Sequence, residues 1–127
     1  MATYTPFAST KTTYTPSSLF VYGFPVEYGE GTILSGEGVV VAGTVLGKVT
    51  ASGKLIACVD DAVDGSQIPI AVSTATVDAT SADASVVIAK TGKFKSQFLI
   101  FGGSTVVADV IDLMEARNMY PITVLDA

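Results

Sequence analysis

The chain reads as a mainly β protein: a small distorted barrel with one helix near the C-terminus and an extended arm at the N-terminus. Three observations predict this. From Gly38 onward, apolar runs of strand length alternate with Gly, Asp and Ser turns. Helical periodicity occurs once, between Thr105 and Asn118. The first eighteen residues are rich in Thr, Ser and Pro, and Lys11 is their one charged side chain. With 127 residues, 49% of them apolar and 15% charged, the composition is that of a folding chain with a modest core.

The leader carries the tetrapeptide Thr-Tyr-Thr-Pro twice, at Thr3–Pro6 and Thr13–Pro16. Pro6 and Pro16 hold Thr5 and Thr15 extended and remove a backbone donor. Thr and Tyr favour strands, so residues 1–18 are expected to form an extended arm. Tyr4, Phe7 and Tyr14 give it apolar surface that a purely solvated tail has no use for. Residues 19–127 are expected to form one β-rich domain. Its first stretch, Leu19–Tyr28, is apolar but broken by Gly23 and Pro25, which suits an edge strand or bulge. Gly29–Gly38 holds glycines at 29, 31, 36 and 38 and reads as turns or a flexible loop.

Six strand-length runs follow: Val39–Val41, Thr44–Thr50, Lys54–Val59, Pro69–Val77, Ser85–Lys90 and Phe94–Phe101. Ser52-Gly53 and Thr91-Gly92 have hairpin-turn composition, and Asp78–Asp83 is a polar connection. Ser104 or Thr105 is placed to cap a helix whose stripe is Val106, Val107, Val110, Ile111, Leu113 and Met114. Asp109 near its start and Arg117 near its end suit the helix dipole. Asn118 ends it, and Tyr120–Leu125 makes a final strand.

Several function classes are disfavoured by composition. The net charge is −5, and Lys90, Lys93 and Lys95 form the one cluster of cations, too little for a phosphate-tracking surface, so no nucleic acid is expected as a partner. Mean hydropathy is positive (+0.53). The apolar runs Val39–Ala42 and Phe98–Phe101 nevertheless end at glycines, far short of the eighteen or so residues that span a bilayer. No membrane partner is expected, nor a secretory signal, and synthesis is expected in the cytoplasm. Cys58 lies in an apolar run with no His anywhere in the chain to activate it, so it is expected in the core.

Candidate chemistry fails on spacing. Gly43–Thr50 has three residues between its glycines and Val49 after Lys48, where a phosphate loop needs four and a Ser or Thr. Gly29–Gly36 has no helix after it to complete a dinucleotide fingerprint. Asp60, Asp61 and Asp64 ahead of Gly65 could be imagined around Ca²⁺, but Ala71 stands where an EF-hand would end on Glu. They read as an Asp-Gly turn. No metal, cofactor or catalytic residue is expected.

The residues Gly43, Val45, Leu46, Gly47, Val49, Gly53, Lys54, Leu55, Asp60, Ala62, Asp64, Gly65, Ser66, Pro69, Ala71, Val72, Gly92 and Phe94, taken in order and spacing, resemble the head decoration proteins of tailed phages, the lambda protein D type. The resemblance covers about the middle half of the chain. It implies a β-clip-like fold and a homotrimeric cement protein on the outer capsid surface of the virion, made in the host cytoplasm and bound to the major capsid protein. In that family the N-terminal arm docks on the capsid, and here the arm would use Thr3, Tyr4, Thr5, Pro6, Phe7, Tyr14, Thr15, Pro16, Leu19 and Phe20. Residues 1–38 do not obviously match the lambda-type leader, so the arm rests on physical argument and analogy. Two other function classes stand as alternatives. A β-clip ligand-binding domain or nucleotide hydrolase needs a Gly/Ser phosphate turn and a water-activating Asp in an order this chain lacks. A trimeric fibre or adhesin subunit is compatible with the weakly charged leader.

Overall fold

Strand alternation makes the architecture, because three barrel strands carry large or small apolar residues on both faces. The computed structural model describes residues 19–21 and 25–122. Its strands are β1 (Tyr28–Ile33), β2 (Gly38–Val40), β3 (Val45–Lys48), β4 (Leu55–Ala57), β5 (Pro69–Ser73), β6 (Val77–Ala79), β7 (Ala84–Ala89), β8 (Gly92–Lys95) and β9 (Met119–Ile122). A 3-10 turn (Ser96–Phe98) and one helix, α1 (Val107–Glu115), lie between β8 and β9. Five strands close a barrel in the order β1-β4-β3-β5-β7, with β7 returning to pair antiparallel with β1 from Tyr28↔Ala89 to Ile33↔Ala84. β2 pairs with β6, and β8 runs parallel to β9. The protein is therefore mainly β around a small closed barrel, with its helix near the C-terminus.

Leu46, Ala71 and Ile88 point to one side of their strands and join Ile33, Val40, Leu55, Ala79 and Val86 in a first apolar cluster. Their neighbours Val45, Val72 and Ala89 point the other way. These join Cys58, Phe94, Val110, Met114 and Met119 in a second cluster under α1 and the β8–β9 pair. Burial on both faces explains why these strands read as unbroken apolar runs.

The structure departs from the sequence expectations in five places. Gly29–Gly38 is not a loop throughout: its first part belongs to β1, the strand that closes the barrel. Side chains from other parts of the chain lie over both glycines. A β-carbon on Gly29 would stand 2.6 Å from Cε of Lys90, and one on Gly31 would stand 2.5 Å from Cδ1 of Leu55. Pro69–Val77 is two strands rather than one. The wholly buried Ser73 donates its hydroxyl to the Ala75 carbonyl at 2.7 Å and turns the chain between β5 and β6. Phe94–Phe101 is strand only to Lys95 and then enters the 3-10 turn. Thr91-Gly92 is a corner between sheets, since β7 pairs with β1 and β5 while β8 pairs with β9.

The helix boundary is the fifth. Thr105 does not cap α1. Its Oγ1 accepts from the Asp60 N–H at 3.0 Å and lies 3.1 Å from Asp60 Oδ1, tying the 60s loop to the helix start. Val106 takes the N-cap position and has no side-chain acceptor, so half a capping box remains: the Asp109 carboxylate accepts from the Val106 N–H at 2.9 Å. The C-terminal stop is as expected, with Asn118 in the left-handed region at φ 64°. Of the expected strand Tyr120–Leu125, residues 120–122 lie in β9 and the rest fall outside the described residues.

Gly47 packs directly against the backbone of Ser66. A β-carbon there would lie 2.6 Å from Cα of Ser66, against backbone that has no room to yield. Gly47→Ala is expected to destabilise the protein by about 1–3 kcal/mol through overpacking. A thermal melt would show the loss, and an unchanged melting temperature would mean that the Ser66 turn moves freely.

Candidate docking surface

The described part of the N-terminal segment is built into the body. Leu19 O accepts from the Lys95 N–H at 2.8 Å and the Val21 N–H donates to Lys93 O at 2.8 Å, giving an antiparallel bridge between Phe20 and Phe94. Residues 19–21 thus lie along the free edge of β8, opposite β9. The Phe20 ring sits 5.4 Å from the Phe94 ring and meets Tyr28 edge-on at 6.2 Å. Leu19 and Phe20 are half-buried against the second cluster. Both are named in the expected capsid-binding arm, and the structure places them against the edge of β8. The other residues expected in the arm, Thr3, Tyr4, Thr5, Pro6, Phe7, Tyr14, Thr15 and Pro16, lie outside the described residues.

Apolar side chains stand on the surface next to this point. Ile100 bridges Thr44, with the Ile100 N–H donating to Gly43 O at 3.0 Å and the Val45 N–H donating to Ile100 O at 2.8 Å. Gly43 packs directly against the Phe98 carbonyl, and its missing side chain leaves Leu19 close by. Phe98, Ile100 and Val41 are 40%, 43% and 38% exposed. Lys95 lies over the Phe98 ring, its Nζ 5.8 Å from the centroid. Sequence reading missed this patch because Phe98 and Ile100 sit in a run that looks like an ordinary buried strand.

The candidate chemical residues are structural. Gly43–Thr50 passes through β3 and so delivers no helix N-terminus. Asp64 Oδ1 accepts from the Ser66 N–H at 3.0 Å and from its hydroxyl, as an Asp-Gly turn requires. Among the described residues no three of His, Cys, Asp and Glu lie close enough to hold a metal ion. No helix of the described residues is long and apolar enough to cross a membrane.

Cys58 is fully buried in the second cluster, its Sγ 3.6 Å from Gln67 O. Burial, reinforced by the negative charge of Asp60, pushes its thiol up to about 11. At pH 8 about one thiol in a thousand is then ionised. Iodoacetamide is expected to leave the native protein unmodified for hours and to alkylate it promptly in denaturant. Rapid native labelling would show that the second cluster opens. Cys58→Ser is expected to cost about 1–3 kcal/mol by placing a hydroxyl in that cluster.

Three exposed carboxyls set the acid response. Asp64 is held below the usual carboxylate range by the Ser66 hydroxyl and then the Ser66 N–H, and Asp78 likewise by Thr80. Asp83 is held down by its hydrogen bond from Lys54, with Nζ and Oδ2 2.5 Å apart, and then by the Ser35 N–H. Their folded values lie below the unfolded value of about 3.9, so their contribution is complete above that pH and disappears as pH falls through the folded values. The urea midpoint is therefore expected to stay level from about pH 8 to about pH 5 and to fall below about pH 4. A midpoint that rises on acidification would contradict this.

The described residues present a small closed barrel with Phe98, Ile100 and Val41 exposed on its surface. The family model described as bacteriophage lambda head decoration protein D matches residues 9–126, and the chain belongs to that family. It is a structural, non-catalytic family of the phage head, and membership implies contact with the capsid at the virion surface. No curated protein matches the chain.

Proposed function

We propose that this protein is a homotrimeric cement subunit. It binds the major capsid protein on the outside of the expanded head and stabilises that shell. Residues 19–127 form the decoration domain and residues 1–18 the capsid-binding arm. The observation that carries this reading is the family match over residues 9–126, which takes in the second Thr-Tyr-Thr-Pro together with the whole barrel. The docked edge at residues 19–21 supports it, because it holds the start of the arm beside exposed Phe98 and Ile100. An extended arm can then add to a strand edge of the shell, with backbone hydrogen bonds giving affinity and alternate side chains giving register. Three arms per trimer raise the effective concentration of each.

Cosedimentation of the purified protein with mature capsids, alongside light scattering of the free protein, tests the reading. A trimer that pellets with expanded capsids and raises their resistance to heat is expected. A stable monomer that stays in the supernatant would overturn it.

A further inference from the structure

An acidic chain concentrates several of its cations around one groove. Three adjoining open depressions of about 460, 410 and 490 Å³ share Lys48 and Ile70 in their walls. Lys90 lines the first two and Arg117 the last two, while Lys54 lines the first. Lys54 is already paired with Asp83. Lys48, Lys90 and Arg117 are exposed and make no ion pair among the described residues. The floor is apolar, formed by Ile70 and Ile88 with Leu55 at one end, and Gly31 leaves that end open where a side chain would cover Leu55. Glu30 is the one acid in the lining, against the four cations Lys48, Lys54, Lys90 and Arg117.

We propose that this groove is a docking site for an acidic, extended segment of a partner protein, with carboxylates meeting Lys48, Lys90 and Arg117 and an apolar side chain seated on Ile70 and Ile88. Charge complementarity selects the sign of the partner. At physiological salt the Debye length is about 8 Å, so a segment in the groove feels these three cations more than the net charge of the chain. The apolar floor selects the class. A phosphate or a nucleic acid backbone would gain nothing from Ile70 and Ile88, whereas a peptide strand puts alternate side chains on the two surfaces. Each depression has room for a side chain, where a water occupies about 30 Å³. The site is separate from the patch at Phe98 and Ile100, and the inference stands whether or not residues 1–18 hold a capsid.

The test uses the full-length protein and a fluorescent eight-residue peptide of alternating Glu and Val, with a Gln/Val peptide, inorganic phosphate and an oligothymidylate as the other probes. Saturable binding of the Glu peptide is expected, weakening strongly between about 0.05 M and about 0.5 M salt. The triple variant Lys48→Gln, Lys90→Gln, Arg117→Gln is expected to lose about ten-fold or more in affinity with an unchanged melt. Ile70→Ser should also weaken binding, at unchanged salt dependence. Equal binding of the Gln peptide, undiminished binding by the triple variant, or tighter binding of phosphate or oligothymidylate would each overturn the proposal. So would a triple variant that changes oligomeric state, since the occupant would then be a second copy of the chain.

Discussion

A chain lacking residues 1–18 is expected to keep its barrel and its oligomeric state and to lose capsid attachment by roughly a hundred-fold or more. Among the described residues, those that fill both apolar clusters lie between Leu19 and Met119, and the truncation keeps all of them. For the proposed capsid-binding arm, the energetics make the aromatics decisive. Ordering each backbone residue costs about 1–2 kcal/mol, and each hydrogen bond formed returns about 0.5–1.5 kcal/mol net. Main-chain pairing alone therefore cannot hold the arm. Burial of Tyr4, Phe7 and Tyr14 has to supply the surplus, at about 25 cal/mol per Å². Leu19 and Phe20 are already packed on the body and contribute by fixing where the arm starts. Amide exchange on free and capsid-bound protein should show residues 1–18 gaining protection on binding. A truncated protein that decorates capsids as tightly as the full chain would move the whole attachment to the body.

Phe94→Ala is expected to be the most damaging single substitution, at about 3–5 kcal/mol. Among the described residues Phe94 is the largest fully buried side chain, and it sits where the second cluster, β8 and residues 19–21 meet. Against a typical total of about 5–15 kcal/mol, such a loss leaves a marginal fold. The melting temperature should drop by about 10–20 °C. Phe20→Ala removes a half-buried ring and should cost less. A double-mutant cycle between Phe20 and Phe94 is expected to return a coupling of about 0.5–1.5 kcal/mol from their ring contact. A coupling of zero would mean that the arm root is held by its backbone bonds alone.

Much of this architecture could be read from residue order. The strands around Val45, Ala71 and Val86 announced themselves because apolar residues on both strand faces leave an unbroken run. The helix was legible because Val107, Val110, Ile111 and Met114 repeat at its period, and Asn118 because few other residues accept a left-handed turn. β1 was not legible, since Gly29 and Gly31 signal turns to any local rule. The side chains that lie over them, Lys90 and Leu55, belong to distant parts of the chain. Thr105 was misread for the same reason: its partner is Asp60, which no local window contains. The exposed patch needed the 3-10 turn to be known first. The cationic groove was hidden because Lys48, Lys90 and Arg117 are scattered in sequence and meet only when β3, β7 and the end of α1 are assembled. The arm was an expectation from composition and lies outside the described residues, while the backbone bonds of residues 19–21 to β8 were not legible in the sequence.

The closure of β1 onto β7 has a kinetic consequence. Tyr28 must find Ala89 and Ile33 must find Ala84, so the seam of the barrel joins an early segment to one made much later. Folds dominated by such distant pairings close slowly, on the millisecond to second scale, because chain entropy is lost before the contacts are gained. During synthesis the earlier strands wait with an unpaired edge until Ala89 has emerged. An open edge is a template for pairing with another chain. Glycines at 29 and 31 disfavour strand structure before closure, which makes the waiting edge a poor template for a neighbouring nascent chain.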